Sequence, residues 1–127
     1  MIVGTDAASR LRENSVKDGY HAALLIIAVL VGDSELSAPS VAAELNTSAR
    51  TLQRRFVARG TTVERSMRAA RVLHARSLLE DPAYRSLTIS RVVRASGMRD
   101  GTTLARAFAK EHLASPSAYR AVPRTTP

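Results

Sequence analysis

A chain of 127 residues has room for one domain, or for two very small units sharing a core, and this one contains no cysteine. That excludes a disulfide framework, thiolate metal sites and thiol nucleophiles, and it suits a reducing compartment such as the cytoplasm. The formal charge of +8 is unevenly placed: residues 1–36 hold three basic side chains against five acids, −2, and residues 37–127 hold sixteen against six, +10. An excess of that size points to a polyanion. The basic residues are dispersed along several expected helices, which is unlike a polybasic lipid-binding cluster. Tyr and Phe total five and Trp is absent, too few for the stacking platforms that RNA or single strands need. Duplex DNA is therefore the favoured polyanion.

In chain order, helix formers dominate and no alternation of β-branched residues marks a strand, so the expected fold class is all-α. Residues 1–15 read as a flexible lead-in or the remnant of a linker. A first helix is expected over 16–31, ending at Gly32-Asp33. It contains the longest apolar run, AALLIIAVLV over 22–31, which is far short of the roughly 20 residues needed to cross a bilayer and is assigned to the core. Ser37 is placed to N-cap a short second helix to Leu45, with Pro39 tolerated in its first turn. Asn46 suits the sharp turn that follows, because asparagine accepts left-handed backbone angles. Ser48 caps a third helix over 49–59 and Gly60 stops it.

The T-x-x-E spacing of Thr61 and Glu64 predicts a capping box opening a long central helix to about Leu79, broken by Asp81-Pro82. Thr88 or one of its neighbours starts a fifth helix over 89–96, closed by Gly97. Asp100 caps a sixth, to about His112. Ser115-Pro116, a cap followed by proline at the first helical position, starts a short seventh to Ala121. The tail over 122–127 is expected to be disordered.

Two of these stretches repeat. AAELNTSARTLQRRF (42–56) and VRASGMRDGTTLARAF (93–108) each read as a short helix, a turn and a second helix. The turn residues Asn46 and Gly97 lie 51 apart, the L-x-R-x-F cores beginning at Leu52 and Leu104 lie 52 apart, and one extra turn residue accounts for the difference. The proportions are those of a helix-turn-helix, whose second helix enters a DNA major groove.

At about 100° per residue, Ala49, Leu52 and Phe56 share one face and Arg54 lies opposite, beside Arg50, with Gln53 on the flank. In the second copy Gly101, Leu104 and Phe108 are expected inward, and Thr102, Thr103, Arg106 and Lys110 outward. Arginine can pair bidentately with guanine, glutamine with adenine, and threonine can meet a thymine methyl. Arg50, Gln53 and Arg54, then Thr102, Thr103 and Arg106, thus carry groups suited to base edges. Ser48, Thr51 and Asp100 at the two N-termini, with Arg55 and Lys110, are expected to contact phosphates or to position the helices.

Taken together, the sequence resembles the AraC/XylS family of bacterial transcription regulators. The residues that carry the likeness are Ala42, Leu45, Ser48 and the run from Arg50 to Phe56; Arg71, Val72, Ala75, Leu78 and Leu79 on the central helix; then Ile89, Gly97, Leu104, Arg106, Phe108, Ser115-Pro116 and Tyr119-Arg120. They span residues 36–121 in the family's order. The resemblance implies about seven helices in two helix-turn-helix subdomains (16–60 and 82–121) joined by a central helix (61–81). It also implies two recognition helices set into successive major-groove turns about 34 Å apart, and a regulator, most often an activator, that contacts RNA polymerase. By the same resemblance, Arg50, Gln53 and Arg54, then Thr102, Thr103 and Arg106, are the expected base-reading residues. The chain departs from the family at Val93, where alanine is usual, and at Met98 and Ser66, where an aromatic is usual. His112-Leu113 stands where an aromatic-glycine pair is usual. Losing that glycine removes an easy left-handed helix cap, which predicts a less stable second subdomain or a less well seated recognition helix there.

His21, His74 and His112 fall on different expected helices without a paired carboxylate, and no phosphate-binding glycine loop or catalytic acid pair is visible. No enzyme, cofactor or metal site is expected. Arg65, Arg68 and Arg76 read as surface charges, some within reach of phosphate, and Arg71, at a position characteristic of the family, is left open between a structural hydrogen-bonding role and DNA contact. The rival classes are a helical protein-interaction module on the same fold and a protein that binds DNA without sequence preference. The sequence leaves dimerisation open.

Overall fold

The computed structural model describes residues 19–122. The expected lead-in, the start of the first helix and all but Val122 of the expected tail lie outside these residues. Among the described residues the fold is all-helical: α1 Tyr20–Val29, α2 Ala38–Glu44, α3 Ala49–Val57, α4 Val63–Glu80, α5 Ile89–Ala95, α6 Gly101–Lys110 and α7 Pro116–Ala121, with a single 3-10 turn at Pro82–Tyr84. The chain forms two compact units. The first holds α1 and Leu36–Ser66; the second holds the Leu30–Glu35 loop and everything from Met67. The division falls inside α4.

Most helix starts rest on the residues the pattern predicts. Ser37 and Ser40 form a reciprocal capping box, Ser40 N donating to Ser37 Oγ at 3.3 Å and Ser37 N to Ser40 Oγ at 2.9 Å. Thr88 Oγ1 accepts from Arg91 N at 3.1 Å, and Ser115 Oγ from Ala118 N at 3.3 Å with Pro116 behind it. Asp81 caps the 3-10 turn, which the sequence pattern does not reveal, through Ala83 N at 2.9 Å.

The cap of α4 differs from expectation. Thr62, not Thr61, accepts from Arg65 N, at 3.1 Å. Glu64 sits one position too early in the helix to reach back to that cap, and its carboxylate turns toward α3.

Helix ends repeat as well. After α2, Asn46 (φ 53°) donates to Ala43 O and Thr47 N to Ala42 O; after α5, Gly97 (φ 73°) donates to Arg94 O and Met98 N to Val93 O. After α3, Gly60 (φ 76°) donates to Val57 O and Thr61 N to Phe56 O. After α6 the corresponding bonds run from His112 N to Ala109 O and from Leu113 N to Phe108 O, with His112 at φ 61°. Each is the paired 6→1 and 5→2 bonding that satisfies a helix's last carbonyls. The absent glycine thus does not cost α6 its left-handed cap, because His112 adopts that conformation at a steric cost of about 1–2 kcal/mol.

In the first unit the core is built from Ala23 and Ile27 of α1, Leu36, Val41 and Ala42 of α2 and its approach, Leu52 and Phe56 of α3, and Val63. Tyr20 lies 4.9 Å from the Phe56 ring, and the Arg59 guanidinium sits 4.5 Å over Tyr20. The apolar run of α1 is only half core: Leu25 is 68% and Val29 79% exposed. A helix has one inward face, and this one is apolar beyond that face.

In the second unit Val72, Ala75 and Leu79 of α4 pack with Val92, Val93, Met98, Leu104, Ala107 and Phe108. Tyr119 of α7 meets Phe108 edge-on at 5.7 Å and hydrogen-bonds Glu80, and Arg76 Nε donates to its hydroxyl at 2.9 Å. Arg76 is thus part of the α7 anchor rather than a free surface charge. Arg120 Nη1 donates to Leu87 O at 2.6 Å. Arg71 donates through Nη2 to Asp33 O at 3.0 Å; burial lowers its pKa, against the pull of the Asp33 carboxylate.

Candidate nucleic-acid interface

Each unit holds its second helix by the same device. At the start of α3, Ser48 Oγ accepts from Thr51 N at 3.0 Å and donates to Thr51 Oγ1 at 2.9 Å. At the start of α6, Asp100 Oδ1 accepts from Thr103 N at 2.7 Å and from Thr103 Oγ1 at 2.8 Å. The two caps lie 52 residues apart, the spacing of the leucine and phenylalanine anchors, all four of which are fully buried. Sequence register, cap and core anchor therefore agree, and together they fix which residues each helix presents outward.

On α3 the outward residues are Arg50, Arg54 and Val57, all exposed. Among the described residues no acid pairs with either arginine. On α6 they are Thr102, Thr103, Arg106 and Lys110. Thr102 and Arg106 occupy, at the 52-residue offset, the places of Arg50 and Arg54. Gly101, expected inward, is exposed and a side chain there would meet nothing; the inward partner of Leu104 and Phe108 is Ala107.

Other expected site residues are engaged within the protein. The Gln53 amide, half-buried, donates to both Glu64 carboxylate oxygens at 2.8 and 3.0 Å and accepts from Val63 N at 3.3 Å. The hydroxyls of Thr51 and Thr103 belong to the caps. Hydrogen bonds from Thr103 N, then from its hydroxyl, hold the Asp100 carboxyl below the ordinary aspartate pKa. An anion in that place fits a helix N-terminus but cannot accept a phosphate's charge. Arg55 is half-buried, whereas Lys110 is exposed.

The sequence pattern did not assign Arg99 to the site, and it assigned Glu64 only to the cap of α4. Arg99, exposed, directly precedes the Asp100 cap and shares a concave groove of about 480 Å³ with Arg94, over a floor that includes Ile89, Val93 and Met98. A cation immediately before an N-cap was the available signal. Glu64 gave no such signal, because its spacing from Thr61 had a simpler reading.

The family profile described as a helix-turn-helix domain matches residues 41–121, both repeats and the helix between them. The chain belongs to the AraC-type helix-turn-helix family. Membership places it among DNA-binding transcription regulators. The chain is also similar to a solved structure, the crystal structure of a DNA-binding transcriptional dual regulator from Escherichia coli K-12, at 18% identity and a TM-score of 0.68, over 77% of this chain and 85% of that one. At that identity the likeness concerns the fold. No curated protein sequence matches the chain. Among the described residues, no helix of this AraC-type chain is long and apolar enough to cross a membrane, and no group of three His, Asp or Glu side chains could hold a metal ion.

Proposed function

We propose that the protein is a sequence-specific regulator of transcription that reads double-stranded DNA in two major-groove segments, one with α3 and one with α6. The observation that carries this reading is the pair of exposed, unpaired arginines Arg50 and Arg54 on a helix whose cap, anchors and end recur in α6. Arg50, Arg54 and Arg106 have the donors for guanine, and Thr102 has a methyl for thymine. Lys110 and Arg99 supply charge for phosphates, while Ser48, Thr51, Asp100 and Thr103 hold the helices in place. α3 brings two arginines to its edge and α6 one, so the first unit contributes more to specificity. Activation through contact with RNA polymerase, in the cytoplasm at the nucleoid, follows from the family resemblance.

Selection of bound sequences from a random duplex pool, followed by footprinting, tests the proposal. The expected result is a protected site of about two helical turns whose affinity falls steeply with salt. Arg50→Ala or Arg54→Ala is expected to cost about 1–3 kcal/mol at the base each reads. Equal weakening on selected and random DNA would refute the assignment.

A further inference from the structure

We infer that Glu64 is a positioning residue for Gln53, holding its amide in a strut that cannot read adenine, so that the first unit's sequence preference rests on Arg50 and Arg54. The inference rests on the DNA-reading proposal above and assigns roles within that site.

Reading adenine requires a glutamine amide to present both ends at once, the oxygen to N6–H and the nitrogen to N7. In this protein both ends already have partners. Nε2 lies 2.8 and 3.0 Å from the two Glu64 oxygens, and Oε1 takes the Val63 N–H at 3.3 Å. The first of these is charge-assisted, the stronger class of hydrogen bond. The second satisfies one of the opening N–H groups of α4, which no earlier carbonyl within the helix can reach. Turning the amide outward would break a bond to a carboxylate and orphan a donor that is part-buried. Glu64 stands in the first turn of α4, where the helix N-terminus favours a negative charge. Gln53 thus ties the end of the α3–α4 connection to α3. It lies on the flank of the reading edge without being free to take part in it.

Four proteins test this on the full chain: native, Gln53→Ala, Glu64→Ala and the double variant. Each is subjected to selection from a random duplex pool, and the Gln53 side-chain amide, where present, is followed by 15N–1H correlation spectra. Native and Gln53→Ala are expected to select the same site. Glu64→Ala is expected to gain about tenfold preference for adenine at one position, and the double variant to lose that gain. In the native spectrum the Gln53 amide pair stands apart from solvated glutamine, and in Glu64→Ala it shifts to the position of a solvated glutamine.

A changed base preference in Gln53→Ala, or a native amide indistinguishable from solvated glutamine, overturns the inference whether or not the protein reads DNA. The same holds if Glu64→Ala releases the amide without any gain in preference. A native protein that selects no sequence while its Gln53 amide still responds to Glu64 overturns the DNA-reading proposal, and with it the role assigned to the strut.

Discussion

Gly97→Ala is the substitution whose cost follows most directly from the coordinates. Gly97 ends α5 at φ 73°, where an L side chain is strained, and a Cβ built there would stand 2.2 Å from the Val31 carbonyl oxygen and 3.0 Å from Arg71 Nε. Ordinary contact begins near 3.4 Å, so backbone must move by more than an ångström. Left-handed strain costs about 1–2 kcal/mol, offset by about 0.4–1 kcal/mol from the stiffer unfolded chain. Displacing packed backbone adds about 1–3 kcal/mol. The total is about 1–5 kcal/mol, centred near 3. Gly60 supplies the control: it ends α3 at φ 76°, and a Cβ there would meet nothing within 4 Å. Gly60→Ala should therefore show only the conformational part, about 1 kcal/mol. Urea unfolding of both variants, with the slope checked for constancy, measures the difference. Equal losses would refute the close approach as the reason that glycine stands at 97.

His112→Gly should stabilise the protein by about 0.5–1 kcal/mol, because the cap is retained while the left-handed strain is removed; a lower thermal midpoint would contradict this. The Asp100 carboxyl has a folded pKa below its ordinary value, so its contribution is present above the ordinary aspartate range and is lost as pH falls through the depressed value. Asp100→Asn can still cap α6 and should flatten that acid limb of the stability profile, which unfolding measured from neutral pH downward would show. Ser96 is fully buried and its hydroxyl has no hydrogen-bond partner among the described residues; Ser96→Ala should be neutral or stabilising by up to about 1 kcal/mol, and a clear loss would point to an unseen partner. Leu25→Ser and Val29→Ser, on the exposed side of α1, should change stability by less than about 0.5 kcal/mol, while Ile27→Ser in the core should cost several times more by the same measurement.

Much of the local structure was legible because its causes are local. Ser37, Ser48, Thr88, Asp100 and Ser115 cap helices through donors three residues ahead, and Asn46, Gly60 and Gly97 end them through their own backbone preference. The 52-residue repeat identified Leu52, Phe56, Leu104 and Phe108 as anchors, because a helix that buries two such positions has little freedom in its rotation. Legibility failed where neighbouring positions competed for one role. Thr61 and Thr62 can both cap α4, and only the path of the chain selects Thr62. The run over 22–31 is apolar on every side, so its composition cannot say which side is covered. His112 shows the limit of reading a cap from residue type: the turn's hydrogen bonds and the half-buried Leu113 hold a conformation that histidine alone would avoid.

The sequence by itself determined the helical repeat, the caps and the outward placement of Arg50, Arg54, Thr102 and Arg106, since helical periodicity and short-range hydrogen bonds suffice for each. Tertiary structure alone decided which polar side chains near that edge were already occupied. Gln53 meets Glu64 eleven residues away, Arg71 meets Asp33 thirty-eight residues away, and Gly97 meets Val31 across the same packing. Such pairings depend on how helices and loops are brought together, and a one-dimensional pattern with a 3.6-residue period holds no record of that.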